Sequence, residues 1–241
     1  MNEQAEKTRR KKAWRTVWAL GTAQFVDAAE ENIVSAMFPS IQRTLGLNAG
    51  HLGTILSVNE IIKLIARPMW SMLADRYSRK AILVWITGVW GVWTLLVGFA
   101  SQYREVLALA LLGSIGVIAQ WGPKESLVAD YFPEDERGKA FGSIWAIASA
   151  GVVVSVLIFG MLAEVSGIAW RIAYWLFGGL SILTGVLIWL LVDEPVRGQS
   201  EAALAGATTR VVEELEKRHA FALAKIPDLF KIPTLLVSWL E

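Results

Sequence analysis

Apolar residues run along this chain in long blocks separated by short polar stretches. Ala81 to Ala100, Ala140 to Ala163 and Ile172 to Val192 carry no charge. Val106 to Pro123 is uncharged and continues apolar to Ala129, past Lys124 and Glu125. Two further blocks have the length but carry charge. Ala13 to Met37 holds Arg15 near its start and Asp27, Glu30 and Glu31 deeper, and Leu52 to Ala74 holds Glu60, Lys63 and Arg67. A helix of about 20 apolar residues crosses a bilayer core. The pattern therefore predicts six transmembrane helices, with linkers short enough that neighbours run antiparallel. After them, Asp193 to Lys231 is polar, and Val211 to Ala224 has the spacing of a linker helix or of one lying on the membrane surface. Ile232 to Leu240 is apolar again, too short to span, and reads as the truncated start of a seventh helix. The expected organisation is a basic tail over 1–12, a six-helix domain over 13–192, a linker over 193–231 and the start of helix seven over 232–241.

Composition supports a membrane protein. The 241 residues are 54% hydrophobic and 19% charged, with a mean hydropathy of +0.46; soluble domains run at about 45–50% and 25%. Many of the 12 Trp stand near the ends of apolar blocks, a placement that suits interfacial anchoring. The absence of Cys excludes disulfides, thiolate metal sites and Cys nucleophiles. His51 and His219 lie outside the apolar blocks and too far apart for a local metal motif. No nucleophile–base or metal-ligand spacing is present, so no enzyme, cofactor or metal site is expected. The first apolar block lacks a small-residue cleavage site and reads as a retained span.

The positions of the charges matter more than their net of +1. Lys7, Arg9, Arg10, Lys11, Lys12 and Arg15 precede or edge the first block. Arg76, Arg79 and Lys80 lie between the second and third, and Arg137 and Lys139 between the fourth and fifth. Arg197, Arg210, Lys217, Arg218, Lys225 and Lys231 follow the sixth. The opposite loops hold Arg43, Arg104 and Arg171. Under the positive-inside rule both ends of the six-helix unit are cytoplasmic. This places a multi-pass protein in a plasma membrane, by expectation a bacterial inner membrane, with no nucleic-acid partner.

Charges inside the blocks are the candidate chemistry. Each costs roughly 2.5–3.5 kcal/mol at the centre of a span, so they are expected to face the bundle interior or a water-filled cavity. Gln24, Asp27 and Glu31 fall on one helical face, as do Glu60, Lys63 and Arg67, and as do Gly113, Gln120 and Lys124. Glu30 lies off the first of these faces and reads as a bystander. Asp27, Glu31, Glu60 and Glu125 are the candidates for proton coupling, because a carboxylate in low dielectric can exchange protons near neutral pH. Gln24, Lys63, Arg67, Gln120 and Lys124 are the candidates for substrate binding. The competing structural reading is a set of buried ion pairs that only fix helix packing. Gly142, Ser149 and Gly160 form a small-residue stripe on the fifth block and are expected at a helix contact.

The turn Ser71-Met-Leu-Ala-Asp-Arg-Tyr-Ser-Arg-Lys80 resembles the signature loop of the major facilitator superfamily, G-x-L-a-D-R-x-G-R-K. Leu73, Asp75, Arg76, Arg79 and Lys80 match, and Ser71 and Ser78 replace the two glycines. Ala129-Asp-Tyr-Phe-Pro-Glu-Asp-Glu-Arg-Gly138 resembles the family's D-x-F-P-x-x-x-R-G stretch. Trp170-Arg171 and Glu194-Pro195 are two further likenesses at the family's positions. In the fourth block the chain departs from the family: Ala-Leu-Leu-Gly113-Ser-Ile-Gly116 lacks the Arg often found there, and the cation is Lys124. Asp27 lies near an Asp of several proton-coupled members.

The resemblance implies an all-α fold of two inverted three-helix repeats, with alternating access by rocking of two six-helix halves. The missing C-terminal half would supply the other wall of the cavity. Leu73, Asp75, Arg76, Arg79, Lys80 and Arg137 would hold the outward-open state at the cytoplasmic face. The expected function is secondary active, proton-coupled transport of a small solute, with an organic anion preferred. The alternatives are efflux of cationic or amphipathic drug-like solutes, or a non-transporting membrane sensor or scaffold. Lipid, solute and protons are the expected partners.

Overall fold

The computed structural model describes residues 3–119, 121–165 and 167–195. The expected linker helix and the start of a seventh helix lie outside the described residues. Six helices carry the described residues: α1 Glu3–Leu45, α2 Ala49–Arg76, α3 Arg79–Val97 and α4 Tyr103–Tyr131, α5 Glu134–Val165 and α6 Ala169–Leu191. The helices extend past the apolar blocks at most ends, because hydropathy marks the slab a helix crosses rather than the helix itself. The largest extension is at the start of α1, where the basic tail expected over 1–12 is helical from Glu3. By length and composition α3, α4, α5 and α6 are apolar enough to cross a membrane. The 43-residue α1 and 28-residue α2 are long enough, but carry Asp27, Glu30 and Glu31, and Glu60, Lys63 and Arg67, within their apolar stretches.

Local chemistry fixes the ends. Asn48 and His51 form a capping box on α2, with His51 N–H donating to Asn48 Oδ1 at 3.3 Å and Asn48 N–H donating to His51 Nδ1 at 3.2 Å. This satisfies two orphan donors of the helix start and gives His51 a structural role. Gly46, at φ 67°, makes the left-handed turn out of α1 that a side chain would strain.

The packing pairs α1 with α5 and α6, α2 with α4, and α3 with α6 and α4. Exchanging first and second triplets of helices maps the α1–α5 contact onto α4–α2 and α3–α6 onto itself. That is the pairing two inverted repeats require. The α3–α6 crossing is backbone on backbone at Gly88 and Gly185, where a Cβ on Gly88 would sit 3.0 Å from the Gly185 Cα. A π-helical turn over Val84–Val89 widens α3 at this crossing, and the Ser181 hydroxyl donates to the Thr87 carbonyl at 2.8 Å.

On α5 the contact residue is Gly151, against the backbone of Phe25. Gly142, Ser149 and Gly160, expected at a helix contact, instead face away from α1: a Cβ on either glycine would meet nothing within 4 Å. The stripe and Gly151 share a helix but not a face, and sequence spacing alone does not say which face is covered.

Two apolar clusters hold the bundle. One gathers Ile33, Met37, Ile41, Ile55, Phe159, Trp170 and Phe177, and the other Val17, Leu20, Leu127, Phe132, Ile144 and Ile188. Truncating one of the buried aromatics, Phe132 or Phe159, to Ala would cost about 3–5 kcal/mol.

The tryptophans divide. Trp18, Trp85 and Trp189 are exposed near one end of the bundle, as interfacial anchors require. Trp170 is buried, and Trp70 donates to the Ile115 carbonyl at 2.9 Å, tying α2 to α4.

Candidate functional site

Six of the side chains expected from the sequence lie at three places: Glu31, Glu60 and Lys63 at one, Gln24 and Lys124 at another, and Asp27 at a third. On the face shared by α1 and α2, the Lys63 ammonium lies 3.1 Å from Glu31 and 3.0 Å from Glu60. The Lys63 side chain is 18% exposed, against 46% for Glu31 and 73% for Glu60. The cation is therefore the inner partner, and the carboxylates open onto a face this unit leaves uncovered. The i, i+3 spacing of Glu60 and Lys63 makes one pair, and the packing of α1 beside α2 makes the other.

Lys124 on α4 is buried, donates to Gln24 Oε1 on α1, and lies within electrostatic reach of Asp27, Glu125 and Glu31. Glu125 itself is exposed. The buried Asp27 lines a small cavity with Glu30, Trp90, Thr94 and Ser181. The side chains of Arg67 and Gln120 lie outside the described residues.

A larger cavity of about 130 Å³ opens beside it between α1, α2, α3, α4 and α6. Its polar lining is Glu30, Glu31, Asn59, Glu60, Lys63, Thr94, Ser114 and Tyr174. Glu30, expected to be a bystander, lines both cavities and accepts from Thr94 Oγ1 at 3.2 Å. Its departure from the Gln24–Glu31 face turns it toward α3 and α6, which also carry polar groups. Glu30, Asn59, Thr94, Tyr174 and Ser181 are the lining residues that sequence reasoning missed as site residues. Polar residues isolated within apolar blocks were the available signal.

The signature-loop residues form a separate structure at the end of the bundle. Arg79 is 2% exposed. Its guanidinium binds Asp130 at the end of α4, donates to Ser126 Oγ at 2.8 Å and to the Pro195 carbonyl at 3.1 Å, and reaches Glu194 at 3.3 Å. The Glu194 carboxylate also caps α3: it accepts from the backbone N–H of Arg79 at 2.9 Å and of Lys80 at 3.1 Å, and from the Ser78 hydroxyl. Ser78 Oγ in turn accepts from the Ala81 N–H at 3.1 Å.

The orphan donors of the helix start are thus met by an anion at its positive end. Burial pushes the Glu194 carboxyl up, but these hydrogen bonds outweigh it and hold the carboxyl below its ordinary value. Arg137 Nε donates to the carbonyls of Ala129 at 3.2 Å and Phe132 at 3.1 Å, closing the end of α4. Leu73 and Arg76 are exposed, Lys80 contributes through its backbone, and the Asp75 side chain lies outside the described residues. Arg79 therefore binds within its own six-helix unit.

Residues 20–240 match the family model described as Major Facilitator Superfamily. A protein of Cupriavidus pinatubonensis named "Probable 4-methylmuconolactone transporter" is 31% identical over 67% of this chain and 38% of its own length. The multidrug resistance protein MdtG of Serratia proteamaculans is 28% identical over 85% of this chain and 48% of its length. Protein spinster of Drosophila melanogaster is 25% identical over 79% and 31%. The chain thus spans about half or less of these relatives. Among solved structures, a bacterial homologue of the human lysosomal transporter Spinster, inward-facing and unoccupied, matches at a TM-score of 0.72 and 20% identity, over 86% of this chain and 49% of that one. The proton:xylose symporter XylE matches at 0.62 and 14% identity, over 88% and 53%.

Proposed function

The chain belongs to the Major Facilitator Superfamily, and from that premise we propose that it forms the N-terminal half of a secondary transporter that moves a small organic solute in exchange or symport with protons. The observation that carries this reading is the Lys63 ammonium held between Glu31 and Glu60 on the cavity wall. Packing alone does not need a three-way charge cluster with two carboxylates left open to one face. A cluster that trades partners when a carboxylate is protonated is a coupling device. In this reading Asp27, Glu31 and Glu60 exchange protons. Glu125, next to Lys124 on α4, is the weakest of the four candidates, because it is exposed. All six helices span, α1 and α2 with their charges turned to the cavity, and both ends of the unit face the cytoplasm of a bacterial inner membrane. A second six-helix half closes the cavity, and Leu73, Asp75, Arg76, Lys80 and Arg137 lie where that half would meet the Arg79 latch.

The organic-anion expectation treats Lys63 and Lys124 as available cations. Lys63 is held by two carboxylates and Lys124 by Gln24, while Asp27 and Glu30 add further acidic lining. The charges favour the alternative, a cationic or amphipathic drug-like solute, and one relative is named for multidrug resistance.

Solvent access tests the transport reading. Asp27→Cys, Lys63→Cys and Lys124→Cys can each be challenged with a membrane-impermeant maleimide in a full-length protein freed of any other Cys; these 241 residues contribute none. Labelling at all three is expected. Protection at all three would mean a sealed bundle and would favour the membrane sensor or scaffold.

A further inference from the structure

The start of α1 carries more positive charge than its neighbours cancel. Lys7, Arg9, Arg10, Lys11, Lys12 and Arg15 stand against Glu3 and Glu6 on the same stretch. That stretch is helical from Glu3, so the charges are held in place rather than spread through a loose tail. Lys12 and Arg15 reach the same Oδ2 of Asp193, at 3.3 and 3.2 Å. One carboxylate shared by two cations leaves a surplus positive charge. Asp193 is fixed in turn, because the Tyr131 hydroxyl donates to its carbonyl at 2.7 Å. Lys11 is exposed, and no acid pairs with it among the described residues.

These cations stand at the level of a membrane surface. Trp18, about one turn deeper than Arg15 on α1, is 63% exposed, and Trp189, about one turn deeper than Asp193 on α6, is 61% exposed. Exposed indoles at the end of a bundle mark the headgroup boundary. Trp18 and Asp27 are half a turn out of phase at about 100° per residue, so Trp18 faces away from the small cavity that Asp27 lines. Lys11 and Arg15 lie within about 60° of Trp18 on that outer face. The seam of α1 and α6 thus carries two indoles with three cations above them. A phosphodiester in the adjoining leaflet has the matching profile, with its charge beside the cations and its glycerol beside the rings.

We infer that Lys11, Lys12 and Arg15 form a headgroup site for an anionic phospholipid at the seam of α1 and α6. Charge complementarity names the partner, since a zwitterionic headgroup brings its own cation and gains less. Each Lys or Arg near an anionic surface adds to the attraction, and here the helix and Asp193 set the positions in advance. The inference needs the bundle to span with this end at the membrane surface, and is independent of the solute.

Native mass spectrometry of the full-length protein tests the site, with phosphatidylglycerol and phosphatidylcholine of the same acyl chains as probes. The first phosphatidylglycerol is expected to bind at least about tenfold more tightly than phosphatidylcholine. Lys11→Gln with Arg15→Gln should bring the two lipids to within about threefold of each other. Lys7→Gln with Arg9→Gln removes the same charge farther from Trp18 and should leave the preference in place. Both pairs are exposed, so neither change empties the core. Equal affinity for the two lipids, or a preference that survives the loss of Lys11 and Arg15, would overturn the site. So would an equal drop in the two double variants, which would mean that net charge alone attracts the lipid. Displacement of the lipid by inorganic phosphate would assign the cations to a free anion instead and overturn it as well. Lipid binding is read without a gradient, so its failure leaves the transport reading standing, and a sealed cavity in the labelling experiment leaves the lipid site standing.

Discussion

The two charged regions of this bundle use the same side chains to opposite ends. Around Arg79, a buried guanidinium is surrounded by Asp130, Glu194, Ser126 and the Pro195 carbonyl, and the donors at the start of α3 are capped by Glu194 and Ser78. In the cavity, Glu30, Asn59 and Tyr174 keep buried polar atoms unmet, and the carboxylates around Lys63 are open on one face. A satisfied polar network makes a rigid joint, and an unsatisfied one leaves free energy available to a ligand or a proton. Charge inside a membrane protein is therefore not one signal. What separates a latch from a site is whether the partners are already present.

The sharpest way to break this comparison is to remove the latch cation. Arg79→Ala takes the buried cation away from Asp130 and Glu194, and is expected to destabilise the protein by about 3–5 kcal/mol, as loss of one partner of a buried pair does. Thermal unfolding of the detergent-purified protein reads this; a loss below about 1 kcal/mol, the level of an exposed pair, would show that the latch is not the rigid region. The cavity should respond the other way. Lys63→Ala leaves Glu31 and Glu60 partly exposed, so stability should change by no more than about 1 kcal/mol. Uptake by proteoliposomes should nevertheless fall by about tenfold or more, about 1.4 kcal/mol of lost coupling. Unchanged uptake would remove Lys63 from the site.

Acid should loosen the latch through Glu194. Its carboxyl is held below the ordinary value of 4.5, so its contribution is fully present above that value and fades as pH falls through the lower folded value. The difference in melting temperature between the native protein and Glu194→Gln should be widest near neutral pH and close below about pH 4.5. A gap that stays constant down to pH 3 would mean that the carboxylate charge is not what caps α3. The smallest effect belongs to the exposed Lys7–Glu3 pair: Lys7→Ala should change stability by less than about 0.5 kcal/mol, and a larger loss would show that the start of α1 is tied down elsewhere.

Much of the fold is legible in the order of residues. The apolar blocks predict the six helices to within a turn or so at most ends, since the length of a spanning helix is set by the thickness of the bilayer core. The major exception is α1, which begins ten residues ahead of its block, because polar residues are as able as apolar ones to continue a helix once it has started. The signature loop is also legible, since its D-R-x-x-R spacing is local. So is the Glu60–Lys63 pair, whose spacing lies within one helix.

What the sequence left open were contacts between helices. On α1 alone Glu30 is peripheral, because its angle departs from the Gln24–Glu31 face. The packing of α3 and α6 on that side makes its direction the interior. The Gly142, Ser149 and Gly160 stripe meets no helix among the described residues, and the contact with α1 falls to Gly151. Glu31 and Lys63 stand on different helices, and their pairing depends on how α1 lies along α2. Sequence alone thus determined which segments are helices and which of their residues are polar, because both follow from local hydrogen bonding and transfer free energy. Only the tertiary structure decided which polar atoms meet a partner and which remain open, because burial and pairing are properties of neighbours that the chain brings together from far apart.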